Sequence, residues 1–383
     1  MAHLVPQATL MPARRDSCIL GGVFALEPMS EATTMPFGAG NVQYFLSVRC
    51  ALTALIEARK PKTAWLPSYL CGDILTPFLH KKVAIRFYAI DARLRVSNRS
   101  WIGEIQPGDV VLAIHYFGFP NRGFPAAAAA SQGAIIVEDA SQALFLPQQF
   151  PESLGILYSP RKFLGVPDSG ILVAQGETGV ESIKLQPPPL NWWREAVEVN
   201  VKRREFDLIG QPSGGNNWFA QFQRVESEFP VGLFRASDLS RAILSSVDYD
   251  AIRTRRRANY AKLLELAGRQ AVFPVLPPEI VPLGFPLRAR GGLRDRILRQ
   301  LHAARIFAPV HWPIQSIVPA SFEESHKLSR RLITLVCDQR ATVEDMEWQA
   351  GELLASESAA RGWSRGKRSA GPPPARETRA RRG

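Results

Sequence analysis

The sequence predicts an α/β fold: a large domain on a mainly parallel sheet with helices on both faces, followed by a smaller α+β domain. Length is the first reason, since 383 residues exceed the roughly 250 to 300 at which one hydrophobic core stops growing. The second is an alternation between about residues 38 and 170, where a helical pattern near 47–59 precedes the apolar runs TAWLP, AIRFYAI, DVVLAIHY and AIIVED. Short buried runs separated by helical or irregular links read as parallel strands. The third is the change after Ser246, where FPVLP, PLGFPLRA, RDRILRQLHAARI and VEDMEWQAGELL mix short strands with helices. These patterns divide the chain into a large domain over 1–245, a small domain over 246–356 and a basic tail over 357–383.

Taken in order, the lead-in MAHLVPQATLMPARRDSCILGG has an early proline and two arginines ahead of its apolar stretch. That is not the layout of a secretory signal, so a cytoplasmic location is expected. AIIVED closes on Asp139, and GILYSPRKF is the next extended segment, turning just before Lys162. Ligands bind outside the carboxyl ends of parallel strands, so Asp139 lies where a doubly wound sheet places one. Residues 181–215 break the alternation: KLQPPPL leads into the helical NWWREAVEVNVKRREFDLI and ends at QPSGGNN. This reads as a proline-led helical insertion over the ligand edge or against a partner chain. Trp192 and Trp193 are expected to pack that helix rather than stack a nucleotide base. A helical passage from Ser237 to Leu266 carries RTRRRANY, whose arginines read as a solvated or salt-bridged face.

Composition narrows the function classes. Apolar residues make up 46% of the chain and charged residues 21%, ordinary for a soluble globular enzyme, and no apolar run approaches the roughly 18 residues a membrane span needs. Cys18, Cys50, Cys71 and Cys337 lack disulfide or zinc spacing, and the six histidines form no cluster with carboxylates. Neither a disulfide framework nor a metal site is expected. Net charge is +12, but residues 361–383 hold eight basic residues against one acid. That tail, rich in Pro, Gly, Ala and Arg, reads as disordered. Without aromatic-and-basic interleaving, no specific nucleic-acid partner is expected.

Lys162 and Asp139, 23 residues apart, carry the chemistry. Pyridoxal phosphate needs a lysine to hold its aldehyde as a Schiff base, and an aspartate to keep its pyridine nitrogen protonated so that the ring accepts electrons. Two neighbouring strand ends can bring such a pair to one ring, although a strand-end Asp with a loop Lys occurs in many α/β proteins.

Seven collinear segments sharpen this reading. They are FLSVRCALTALIEA, WLPSYLCGDILTPF, GDVVLAIHYFGFP, VEDASQAL, SPRKFLGVPDSGILV, FRASDLSRAILSSVDYDAIRTRRRANYAKLLELA, and HWPIQSIVP with LSRRLITLVCDQRATVEDMEWQAGELL. From about Gly21 to Leu354 the chain resembles the DegT/DnrJ/StrS-type aminotransferases. The resemblance implies a pyridoxal-phosphate-dependent transferase of fold type I, a homodimer that moves an amino group from a donor such as glutamate to a nucleotide-linked keto sugar. It implies Lys162 as catalytic lysine and proton shuttle, Asp139 at the pyridine nitrogen and Gln142 at the ring's phenolic oxygen. Ser159 would face the phosphate, with capping of local backbone as the alternative. Backbone N–H groups at Val48, Arg49 and Cys50 would hold the phosphate at a helix start. Tyr69 is the candidate ring on the cofactor face, with core packing as the alternative. His311, Trp312, Asp338, Gln339 and Arg340 carry the HWP and DQR signatures and are expected to stabilise the small domain or line the substrate mouth. His311 is not the expected base, because Lys162 already relays the proton.

Three places depart from the family's pattern. Val48-Arg49 stand where small residues such as Gly-Thr are usual, which makes Arg49 a direct candidate for the phosphate. Leu233 stands where an asparagine often reaches across from the other subunit, and Asp168-Ser169 where glycines are common. The first two motivate a second reading, a degenerate member that binds cofactor or a partner without turnover. Lys162 argues against the family's lysine-less dehydratases. A third reading is polyanion binding through the tail. The acceptor is not legible, because sugar identity is set by loops that carry no general code.

Overall fold

The apolar runs assemble into one seven-stranded sheet. The computed structural model describes residues 19–29, 31, 33–37, 40–210 and 218–369. The lead-in with Cys18, the QPSGGNN loop from residue 211, and the tail from residue 370 lie outside the described residues. In chain order the first half comprises β1 (Leu20–Gly21), β2 (Asn41–Phe45), α1 (Val48–Arg59), β3 (Thr63–Pro67), α2 (Thr76–His80), β4 (Ala84–Tyr88), β5 (Val110–Ile114), α3 (Ala126–Ala130), β6 (Ile135–Ala140), β7 (Ser153–Tyr158) and β8 (Gly170–Ala174). The sheet order is β2-β8-β7-β6-β5-β3-β4. Strands β7, β6, β5, β3 and β4 run parallel, and β8 is antiparallel to both β7 and β2. This is the mainly parallel α/β sheet that the alternation predicts. VVLAI of β5 and GILVA of β8 are buried along their whole length, as strands covered on both faces must be.

Helix α1 starts where Ser47 accepts the Cys50 N–H at 3.2 Å, and it ends at Lys60 in the left-handed region with φ 48°. Its N-terminus lies against β8. A methyl on Gly170 would stand 2.1 Å from the Ser47 carbonyl carbon and 2.3 Å from the Val48 nitrogen, so only glycine admits this approach.

The second half comprises α4 (Leu190–Ile209), α5 (Trp218–Ser227), α6 (Asp238–Leu244), α7 (Tyr249–Ala267), β9 (Phe285–Arg288), α8 (Arg294–Ala303), β10 (Ile306–Phe307), α9 (Glu323–Ser329), β11 (Leu332–Leu335) and α10 (Val343–Ser369). β9 pairs with β11 antiparallel, and β1 pairs with β10 parallel. By hydrogen bonding, the end of the lead-in therefore belongs with the C-terminal strands, not with the sheet its position in the chain suggested. The passage expected as one helical stretch is two helices, α6 and α7, each capped at its start by the side chain of Ser237 or Asp248. Helix α10 continues to Ser369, so the first part of the segment expected to be disordered is helical. No described helix is long and apolar enough to cross a membrane.

The RTRRR run is not a uniformly solvated face. Arg256 is fully buried and donates to Gln339, to the Pro282 and Leu283 carbonyls, and to the Phe163 carbonyl. Gln339 also donates to Phe163 O at 2.7 Å, and Asn259 donates to the carbonyls of Asp338 and Ala341. Arg340 pairs with Asp338 at 2.7 Å and reaches the Val23 carbonyl at 2.8 Å. The DQR signature is thus the joint between α7, the lead-in and the loop that follows Lys162.

Burial opposes ionisation of Asp338, but the guanidinium charge and hydrogen bonds of Arg340 win and hold its carboxyl at about 2. A folded-state value below that of the unfolded chain gives stability that is present above about pH 4 and lost as pH falls toward 2. Asp338→Asn should therefore cost about 3 kcal/mol in denaturant unfolding at pH 7, with the deficit shrinking as the pH is lowered through that window. A pH-independent deficit would contradict the ion-pair account.

Candidate functional site

Two cavities that share lining residues lie beyond the carboxyl end of β7, the smaller reaching also to those of β5 and β6. The smaller, about 130 Å³, is lined by Ser47, Val48, Arg49, Cys71, Asp73, Ile74, Ile114, Asp139, Ser141, Gln142, Ser159, Arg161, Lys162, Glu226 and Trp312. The larger, about 420 Å³, shares Ser159, Arg161, Lys162 and Glu226 with it and extends under α4 and α5. Strand register explains the convergence. Asp139 pairs with Ile114 on one side and Leu157 on the other, so the last residues of three parallel strands end together. Just beyond β7, Pro160–Lys162 form a single 3₁₀ turn that presents Lys162 to both cavities.

Asp139 is 5% exposed, and its Oδ1 accepts the Ser141 N–H at 2.8 Å, which fixes the direction of the carboxylate. Gln142 is held by its carbonyl, whose Oε1 accepts the Phe117 N–H at 3.0 Å. Its Nε2 is buried and has no hydrogen-bond partner among the described residues. A buried donor left in this way carries a desolvation cost of about 1–3 kcal/mol, which a ligand acceptor in the cavity would offset. Ser159 begins the 3₁₀ turn without a side-chain cap bond. Val48 and Arg49 occupy the first two positions of α1, whose N–H groups have no acceptor within any helix. The Arg49 guanidinium lies 4.5 Å from the Phe229 ring centroid and 3.5 Å from Asp73.

Two expected residues are elsewhere. Cys50 is fully buried behind the helix start, where its N–H is taken by Ser47 Oγ and its thiol lies 3.6 Å from the Pro230 carbonyl. It is therefore not a phosphate contact. Tyr69 is fully buried, with its ring 5.5 Å from Trp312 and 6.1 Å from Tyr116. The packing alternative holds, and the aromatic side chain on the cavity wall is Trp312. The HWP signature sets Trp312 either in support of the small domain or at the substrate mouth, and carries no signal for its contact with Tyr69, which comes from a segment more than two hundred residues away. Ser47, Asp73 and Glu226 also line the cavity without having been singled out. Of these only Ser47 had a legible cue, as a serine just before a helix.

The larger chamber has apolar walls from Val23, Phe24, Leu164, Val199, Phe222 and Val225. His311 faces it, with Nδ1 2.9 Å from Thr334 Oγ1. Burial, followed by the positive charge of Lys162, pushes its imidazole down to about 3, so the ring is neutral at physiological pH. Trp192 donates to the Val225 carbonyl at 3.0 Å and stands 4.5 Å from Phe229, so it fastens α4 to α5 as packing predicts. Leu233 packs on the core of its own chain. Asp168 is buried and accepts the Ser237 N–H at 3.0 Å, while Ser169 has φ 124°, a conformation that glycine adopts without strain.

No protein-family model matches the sequence, and no curated protein matches it. Solved structures do match. PseC of Helicobacter pylori, an aminotransferase involved in the biosynthesis of pseudoaminic acid, superposes with a TM-score of 0.62 at 13% identity over 85% of this chain and 88% of that one. A DegT DnrJ EryC1 StrS aminotransferase from Brucella abortus gives 0.57 at 15% identity over 82% and 85%. DesI, solved in the presence of its TDP-sugar product, gives 0.61 at 14% identity over 85% and 83%. The chain has the fold type I architecture of pyridoxal-phosphate-dependent transferases; identities this low carry the fold and no further.

The contact of Gly170 with the start of α1 is open to direct measurement. Gly170→Ala should lower the unfolding free energy by about 2 kcal/mol. Gly176→Ala, where an added methyl meets nothing within 4 Å, should stay within about 0.5 kcal/mol of the parent.

Proposed function

We propose that this protein is a pyridoxal-phosphate-dependent aminotransferase that moves an amino group from an amino acid such as glutamate to a nucleotide-linked keto sugar. One observation carries the reading. The exposed Lys162, the buried Asp139 and Gln142, whose Nε2 has no partner among the described residues, line a single cavity. These residues fit the cofactor. Lys162 would hold its aldehyde carbon, Asp139 its pyridine nitrogen and Gln142 Nε2 its phenolic oxygen. The N–H groups of Val48 and Arg49, the Arg49 guanidinium and the Ser159 hydroxyl would hold its phosphate, and Trp312 would lie against the ring.

When bound, the cofactor supplies an electron sink that acidifies the C–H bond beside the substrate nitrogen. The rest falls to the chain. Asp139 keeps a proton at the pyridine nitrogen by charge attraction in a buried setting. Lys162 Nζ would take the proton released at the donor's α-carbon and pass it to the carbon that carries the cofactor's aldehyde, the shift on which amino transfer depends. The apolar walls formed with α4 and α5 keep water from the reacting atoms. Neutral His311, tied to Thr334, offers a hydrogen bond to a substrate oxygen without competing as an acid. The nucleotide-linked acceptor and the homodimer rest on the sequence resemblance, and the TDP-sugar product of DesI supports the former. An exposed Lys162 that lines one cavity with Asp139 does not favour the binding-only reading.

Purified protein incubated with pyridoxal phosphate should turn yellow, and borohydride should fix the label on the peptide containing Lys162. Lys162→Ala should lose the absorbance band and drop amino transfer by at least about 10³-fold. Asp139→Asn should keep the labelled lysine and lose turnover. Label on another lysine would sink the assignment.

A further inference from the structure

The wall common to the two cavities contains an ion pair that the proposed chemistry does not use. Arg161, next to Lys162 in the same 3₁₀ turn, is paired with Glu226 of α5, and both side chains face both cavities. The Arg161 guanidinium also lies 4.6 Å from the Phe229 ring centroid, so one of its faces is fixed against an aromatic surface while its edge meets the carboxylate. Arg161 is 21% exposed and Glu226 38%. The chamber's other two arginines are bound into the framework. Arg256 is fully buried with three carbonyls and Gln339, and Arg340 is held by Asp338 and the Val23 carbonyl. Arg161 thus has a partner of a different kind, a half-exposed side chain on a helix that roofs the chamber.

We infer that Arg161 is the receptor for the amino donor's carboxylate, and that Glu226 is a resident competitor that holds this receptor until the donor arrives. The inference rests on the aminotransferase reading. An α-amino acid carries its carboxylate two bonds from its nitrogen, and Arg161 and Lys162 are consecutive residues, so one turn presents a receptor for each group. A guanidinium beside apolar walls is costly to leave unpaired. Glu226 neutralises it in the empty chamber, and a donor carboxylate replaces Glu226 with the same charge and the same planar fork. When the acceptor follows, it brings no carboxylate, and Arg161 returns to Glu226. One chamber then takes two substrates of different charge in turn without exposing an unpaired cation to either. Glu226 sets donor affinity by competition and is a positioning residue.

The test uses full-length protein loaded with pyridoxal phosphate, its loading read from absorbance. Glutarate, a dicarboxylate that cannot react, is titrated calorimetrically into the parent, Arg161→Gln, Arg161→Lys and Glu226→Gln. The half-reaction is then followed spectrally with glutamate and with benzylamine, an amine without a carboxylate. Arg161→Gln should retain cofactor, weaken glutarate about tenfold or more and raise the KM for glutamate but not for benzylamine. Arg161→Lys should fall between it and the parent. Glu226→Gln should tighten glutarate several-fold, because the competitor has lost its charge. The inference is overturned if Glu226→Gln weakens glutarate or leaves it unchanged, if Arg161→Gln binds glutarate like the parent, or if Arg161→Gln loses the cofactor, which would assign this arginine to the phosphate. A parent protein that never takes up cofactor sinks the aminotransferase reading itself, an outcome visible before any glutarate is added.

Discussion

The buried guanidinium of Arg256 is the constraint on which the two halves of the molecule depend. Burial alone would penalise its charge heavily and lowers its tendency to stay protonated, with the nearby Asp338 acting the other way. What makes burial tolerable is the set of partners: carbonyls at Pro282, Leu283 and Phe163, and the Gln339 side chain. Phe163 directly follows Lys162. The same hydrogen bonds that satisfy the charge therefore tie the candidate catalytic loop to α7 and to the C-terminal strands.

The position of the site follows from sheet construction. A parallel sheet collects strand ends on one edge, and here β5, β6 and β7 deliver Ile114, Asp139 and the turn carrying Lys162 to that edge in register. The antiparallel β8 then returns beneath the start of α1, where Gly170 lets strand and helix come into close contact, and Ser47, Val48 and Arg49 line the smaller cavity. Each feature is ordinary by itself. Their meeting depends on register, since a slip of one residue would turn Asp139 to the other face of the sheet.

Charges around the cavities are arranged in pairs of graded permanence. Asp338 and Arg340 are held within the joint, Arg49 and Asp73 reach across the mouth, and Arg161 and Glu226 lie between the cavities. Of the three, Asp338–Arg340 is the most buried, Arg161–Glu226 is intermediate and Arg49–Asp73 is the most exposed, and the cost of exchanging one partner for another falls in the same order. Phe229 sits under both Arg49 and Arg161 and so joins these two cationic side chains of the cavity wall on one aromatic ring.

The sequence by itself determined the strand and helix alternation, the mainly parallel sheet, and the placing of Asp139 and Lys162 at neighbouring strand ends. These depend on local periodicity and on residues at strand ends, which chain order preserves. It also marked Gln142, Ser159 and the Val48-Arg49 helix start, all of which line the smaller cavity. Tertiary structure alone decided that Trp312 and not Tyr69 lines the cavity, that the Cys50 N–H is spent on a helix cap, that Arg256 is a buried hub within a run that reads as a solvated or salt-bridged face, and that Glu226 meets Arg161. Each of these is a choice between burial and exposure, or between partners far apart in the chain. Such choices depend on how α4, α5 and the C-terminal elements pack over the sheet, a geometry that no local pattern of residues encodes.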